Sequence, residues 1–191
     1  MNRSSTILGL ICLAAVLLLA SFTDHAGPEI PREKIGKTLS KLFKSNNVEL
    51  TSMVMEAPCF EGASWLTASQ NGVALAYVMV NRVESCRAGG CDASLMMDHP
   101  NEFFDYYMVV SLKGEVLRVA VYNYQATRGH EVMSRGWLRQ FVGVKSNQEL
   151  EVGRDIQAIS GATISAKAIT TNIVSQAGCL GDYLSNTMAE K

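Results

Sequence analysis

The chain has 191 residues, 48% of them apolar, and a net charge of -1, enough for one ordinary domain with a real core. No block of Lys or Arg occurs anywhere, which excludes a nucleic-acid surface and a polybasic membrane patch, since both need clustered cations.

Arg3 supplies a weakly positive start, and Ile7 to Ala20 is an unbroken apolar run followed by Ser21, Thr23 and Asp24. The run is shorter than the ~20 apolar residues of a full membrane span. It reads as the apolar region of a signal peptide, with an uncleaved N-terminal anchor as the alternative. On either reading residues 1–26 stay outside the fold. The rest is exported, to the periplasm or to the outer face of the cytoplasmic membrane. Pro28 and Pro31 mark a linker. Ile35, Leu39, Leu42 and Phe43 then form one face of a helix over Arg32 to Lys44, ended by Asn46-Asn47. Residues 27–47 are thus linker and helix, and residues 48–191 are the domain proper.

Val48 to Met55 reads as a strand. Trp65 to Arg82 reads as a hairpin turned at Asn71-Gly72, where both residues tolerate positive φ. Phe103 to Ser111 and Val116 to Tyr124 form a second hairpin turned at Lys113-Gly114. Alternation is poor in Arg118 to Tyr122, which predicts a strand covered on both faces. Glu131 to Phe141 returns to helical spacing, with Val132, Trp137, Leu138 and Phe141 buried. Residues 143–155 are a polar loop. Ile169, Ile173, Ala177, Leu180 and Leu184 then mark a last helix, with Gly178 and Gly181 suggesting a kink or an early end. Hairpin-joined strands with helices packed on them make the class α+β, an antiparallel sheet in a single domain.

Beyond the apolar run stand Cys59, Cys86, Cys91 and Cys179. Four cysteines in an exported chain read as up to two disulfides, with three possible pairings. Cys86–Cys91 is the easiest to close, because two glycines lie between them. A metal or cluster site is disfavoured by the spacing and by the lack of a neighbouring His. His99, alone before Pro100, reads as surface, and Trp65 and Trp137 read as core. No nucleophile set or helical His pair points to a hydrolase or to a metal site.

Ser160-Gly161-Ala162-Thr163-Ile164-Ser165 lies where a loop enters the last helix. Free N–H groups and the positive end of the helix dipole favour an anion there. Gly161 lets a phosphate approach the backbone, Ala162 keeps the wall low, and Ser160, Thr163 and Ser165 add hydroxyls. The same residues also suit plain capping by Ser160, and spacing alone does not choose.

Gln157 to Ser165 resembles the flavinylation motif Asp-x-x-Ser/Thr-Gly-Ala-Thr of the FMN-binding domain family. That family includes flavin-carrying subunits of the sodium-translocating NADH:quinone reductase and of the related Rnf complex. Ala126-Thr127-Arg128-Gly129-His130-Glu131 stands where the family has a glycine turn, and Trp137-Leu138-Arg139-Gln140-Phe141-Val142-Gly143 is similar to its Phe/Trp-Leu-x-Gln-Phe-x-Gly run. The resemblance spans about Val73 to Val174. It implies FMN as cofactor, joined through its phosphate to Thr163 by a flavin transferase that uses FAD. It places Ser160, Gly161, Ala162, Ile164 and Ser165 around the phosphate, and Thr127, Arg128 and Gly129 near the flavin. It implies electron relay between membrane or exported redox partners rather than substrate conversion. Gln157 stands where the motif has Asp, and the nearest carboxylate is Asp155. The alternatives are non-covalent binding of FMN or another small ligand, and a cofactor-free accessory protein in which Ser160 only caps the helix.

Overall fold

The computed structural model describes residues 27–55, 58–85, 102–146 and 148–189. The apolar run, Cys86, Cys91 and His99 lie outside them. Among the described residues no helix is long and apolar enough to cross a membrane.

Helix α1 (Arg32–Phe43) starts after Pro31, whose carbonyl accepts from the Ile35 N–H at 3.0 Å. It stops at Lys44 in a left-handed conformation, φ 52°, two residues before the asparagines that the sequence offers as its end. Five strands follow: β1 (Glu49–Met53), β2 (Ser64–Gln70), β3 (Val73–Ser85), β4 (Glu102–Ser111) and β5 (Val116–Tyr124). They pair in chain order, all antiparallel, so the sheet is a simple meander. The turn between β2 and β3 has Asn71 at φ 51° and Gly72 at φ 78°, the two positive values that a tight two-residue hairpin requires. The class is α+β.

Both faces of the sheet are covered. Ile35 and Leu39 of α1 pack with Leu66, Ala68, Ala76, Val78, Val80, Tyr107 and Val109. The opposite faces of the same strands present Trp65, Met79, Phe104, Tyr106 and Met108 to the second, larger core. Burial on both sides is why β3 and β4 read as nearly continuous apolar runs. β5 divides likewise, with Val116 and Val119 in one core and Leu117, Ala120 and Tyr122 against the other. An irregularity opposite Asp105 and Tyr106 sets Asn123 against Asp105 and Tyr124 against Phe104. This bulge turns Tyr124 into the larger core's side of the sheet.

The larger core is closed by the segment after β5 and by the last helix. The expected helix over Glu131 to Phe141 is instead three short turns: a 3-10 turn at His130–Met133, α2 (Arg135–Leu138), and a 3-10 turn at Arg139–Phe141. Ser134 sits at φ -58°, ψ 124°, outside the helical region, and splits the first turn from α2. The expected buried set of Val132, Trp137, Leu138 and Phe141 is nevertheless all inside.

Helix α3 (Thr163–Ala189) runs through Gly178 and Gly181 without ending. The two glycines serve packing. A Cβ on Gly181 would overlap the Ser146 side chain, and one on Gly178 would lie 3.5 Å from the Ser146 carbonyl. They form a notch for the loop after the middle segment. Asn172 ties the helix to the sheet, its Oδ1 accepting from Tyr106 Oη at 2.6 Å and from Asn81 Nδ2 at 3.0 Å. Cys59 and Cys179 form a disulfide across 120 residues, beside a 2.9 Å bond from Gln176 Nε2 to the Cys59 carbonyl. It is one of the pairings the cysteine count allows.

Candidate functional site

The first turn of α3 lies against the ends of two strands, β3 and β5. Ser165 is buried, and its hydroxyl exchanges hydrogen bonds with Ser85 at the end of β3 (2.8 Å) and Tyr124 at the end of β5 (3.2 Å). Tyr124 donates to the Arg128 carbonyl at 2.6 Å. It therefore accepts from Ser165, which in turn accepts from Ser85, so the chain of hydroxyls has one direction. Burial, the largest cause, raises the Tyr124 phenol above its ordinary value against the lowering effect of Ser165 and Ser85, so it keeps the proton it donates. Its ring stacks on Phe104 at 5.2 Å and lies 4.7 Å from His130.

Gly129 makes this junction possible. Its φ is 89°, and an added Cβ would fall 2.5 Å from Ser165 Oγ and 2.8 Å from Tyr124 Oη. The Thr127–Gly129 turn therefore packs directly on the Ser160–Ser165 segment, and two motifs far apart in sequence share one place. Thr127 is exposed, and its N–H and hydroxyl both donate to the Glu102 carboxylate, at 3.1 and 2.8 Å. The Arg128 side chain is exposed and makes no ion pair among the described residues.

In the segment itself Ser160, Gly161, Thr163 and Ile164 are exposed, while Ala162 is buried. Gly161 has φ 80°, and the space where a Cβ would stand is open. The first main-chain bond of the helix runs from the Ala166 N–H to the Ala162 carbonyl at 2.9 Å. The N–H groups of Thr163, Ile164 and Ser165 have no partner among the described residues. Ser160 makes no hydrogen bond there either, so capping by its hydroxyl is not what the structure contains.

Two side chains of the middle run hold the approach to this turn. Trp137 Nε1 donates to the Gln157 carbonyl at 2.7 Å, and Gln140 Oε1 accepts from the Gln157 N–H at 2.8 Å. Asp155 does not take the place of the motif's Asp. Its carboxylate is bound to Arg154 and to the Glu151 N–H, and those bonds hold it below the usual carboxylate range.

Residues 103–177 match the family model described as FMN-binding domain. The match takes in the Thr127–Gly129 turn and the Ser160–Ser165 segment, whose residues resemble that family. The match opens in β4, so β1 to β3 lie before it, although β3 supplies Ser85 to the junction. No curated protein matches the chain. FMN is the cofactor of this domain. The residues present fit its phosphate: three free N–H groups, open space over Gly161, and an exposed hydroxyl on Thr163 at the positive end of a 27-residue helix.

Tyr124, Ser85 and Glu102 were not singled out by sequence. Tyr124 stood inside a stretch that resembles the family, but nothing in spacing says that its hydroxyl meets a serine 41 positions later. Trp137 reads as core, and it is, yet its N–H serves the motif segment.

Proposed function

We propose that the chain is an exported electron-relay protein whose FMN is esterified to Thr163. One observation carries the choice of residue. Of the two hydroxyls in the first turn of α3, Thr163 is exposed while Ser165 is buried and already bonded to Ser85 and Tyr124. A phosphate on the free N–H groups meets the first and not the second.

The attachment is a transfer from FAD. Thr163 Oγ1 forms a bond to the FMN-side phosphorus, the pyrophosphate P–O bond breaks, AMP leaves, and the hydroxyl proton is lost. No electrons change hands. When bound, FMN supplies one- and two-electron redox chemistry, and the protein supplies binding and orientation. Gly161 leaves the approach open, Ser165 and Tyr124 lock the helix to the turn, and Arg128 on that turn carries a charge with no ion pair among the described residues.

Export is supported by the apolar run from Ile7 to Ala20 and by the Cys59–Cys179 disulfide, a bond that persists in oxidising compartments. A tethered cofactor suits that setting, because it is not lost where FMN is not supplied. The partners are a flavin transferase and membrane or exported redox proteins. A second reading, FMN held without the ester, is favoured by Gln157 at the motif's Asp position. Intact mass of protein made in a host with the transferase separates them. Added mass of FMN less one water on the Thr163 peptide supports the ester, and flavin released on denaturation supports the second reading.

A further inference from the structure

A cavity lies beside the edge strand of the sheet. β1 ends at Met53, opposite Trp65 near the start of β2. The chain returns between them through a single 3-10 turn at Pro58–Phe60. The end of β1, this turn and the start of β2 enclose a space of about 240 Å³. Met53, Met55, Phe60 and Trp65 give it apolar walls, Ser52 and Ser64 add hydroxyls, and no lining residue is charged.

One wall residue has an unmet hydrogen bond. Trp65 is 2% exposed, and its Nε1–H is buried with no acceptor among the described residues. Only two buried side-chain polar atoms there share that state, the other being Gln176 Oε1. Trp137, the second tryptophan, shows the ordinary outcome, its Nε1 donating to the Gln157 carbonyl at 2.7 Å. An unpartnered buried donor destabilises the fold, and a phenylalanine would build the same apolar wall without that cost. The Trp65 ring is held edge-on to Phe60 at 5.7 Å. Solvent does not reach Nε1, so an acceptor meets it only when the wall yields. Met53 and Met55 are partly buried and unbranched, the side chains best able to swing aside.

We infer that this cavity is a binding site for a small uncharged molecule with an aromatic body and one carbonyl, whose oxygen accepts the Trp65 Nε1 hydrogen bond. Volume sets the size. A cavity of about 150 Å³ holds benzene, so 240 Å³ takes about nine or ten non-hydrogen atoms. Ions are excluded, because the walls offer no opposite charge. The thioethers of Met53 and Met55 and the rings of Phe60 and Trp65 suit a flat aromatic body. The cavity lies away from the open end of α3. Phe60 is edge-on to Tyr183 at 6.2 Å, and Tyr183 stands about 30 Å along the helix from Thr163. The inference therefore holds whether or not Thr163 carries flavin.

The test is nuclear magnetic resonance of the full-length protein titrated with acetophenone, and with isopropylbenzene, which has the same outline but a methyl group in place of the carbonyl oxygen. The chain has two tryptophans, so two indole N–H signals report, and Trp65→Phe assigns them. Acetophenone is expected to bind with a Kd on the order of 1 mM. It should move the Trp65 N–H signal downfield and leave that of Trp137 in place. Trp65→Phe is expected to weaken acetophenone up to about tenfold more than it weakens isopropylbenzene. If the variant does not fold, cross-peaks in wild type between the acetophenone ring and the Met53 and Met55 methyl groups still decide. No movement of the Trp65 signal in saturated acetophenone overturns the site. Equal weakening of both probes in Trp65→Phe overturns the role of its N–H. Water at the indole N–H with neither probe bound shows a hydrated void and overturns the inference as a whole.

Discussion

The C-terminal half of α3 is fixed by groups that solvent scarcely reaches. Ala177 and Leu180 are buried, Gln176 bonds the Cys59 carbonyl, and Cys179 is linked to Cys59. Its first turn is fixed from one side only. Ser165 and Ala166 face inward, while Thr163 and Ile164 are exposed, and their N–H groups have no partner among the described residues. One helix therefore carries a stapled end that holds the fold and an open end where the proposed function puts the flavin phosphate. The disulfide at Cys179 and the hydroxyl of Thr163 are separated by about 24 Å of helix, so changes at one end should leave the other's property in place.

Breaking the staple should have the largest effect. The disulfide spans 120 residues, which in the chain-entropy model is worth about 5 kcal/mol. Cys59→Ala with Cys179→Ala should lower the unfolding free energy by about 2–5 kcal/mol in urea titration, while the folded fraction still accepts flavin. A stable double variant that takes no flavin would mean that the two ends are coupled.

Gly129→Ala attacks the open end through its scaffold. The residue needs a φ of 89°, and its Cβ would press on Ser165 Oγ. The cost should be about 1–3 kcal/mol, with a shifted flavin absorption band as the turn moves off the helix. An unchanged band would detach the Thr127–Gly129 turn from the site. Tyr124→Phe keeps the ring stack on Phe104 and removes the bonds to Arg128 and Ser165. It should cost about 1 kcal/mol, and full stability would show that the hydroxyl chain contributes nothing.

The mildest probe is alkali. Burial raises the phenols of Tyr106, Tyr122 and Tyr124 in the folded protein. The unfolded chain then loses phenolic protons first, near pH ~10, and binds fewer protons than the folded one. The stability these tyrosines contribute is whole below that pH and declines as pH rises through the folded values. Stability flat with pH above that point, by chemical denaturation, would contradict their burial.

Much of this could be read from local chemistry. Asn71-Gly72 and Lys113-Gly114 announce turns because φ above zero is a property of the residue itself. The weak alternation of β5 announces two covered faces, since side-chain period and burial are linked directly. The rest depends on partners distant in sequence. Gly178 and Gly181 look like helix breakers until Ser146 is found against them. The pairing of Cys59 with Cys179 has no local signature. In the site, the segment at Thr163 was legible, but the direction of each hydroxyl was not. Ser160 and Ser165 look alike in sequence, and only the positions of Ser85 and Tyr124 decide that Ser165 turns inward.

The central claim is that Thr163 is the acceptor, and intact mass under denaturing conditions tests it most directly. Protein from a host with the transferase should carry the mass of FMN less one water and keep flavin fluorescence after unfolding. Thr163→Ala should carry neither, with its fold unaltered, because Thr163 is exposed and its side chain bonds to nothing among the described residues. Covalent flavin persisting on Thr163→Ala would contradict the account.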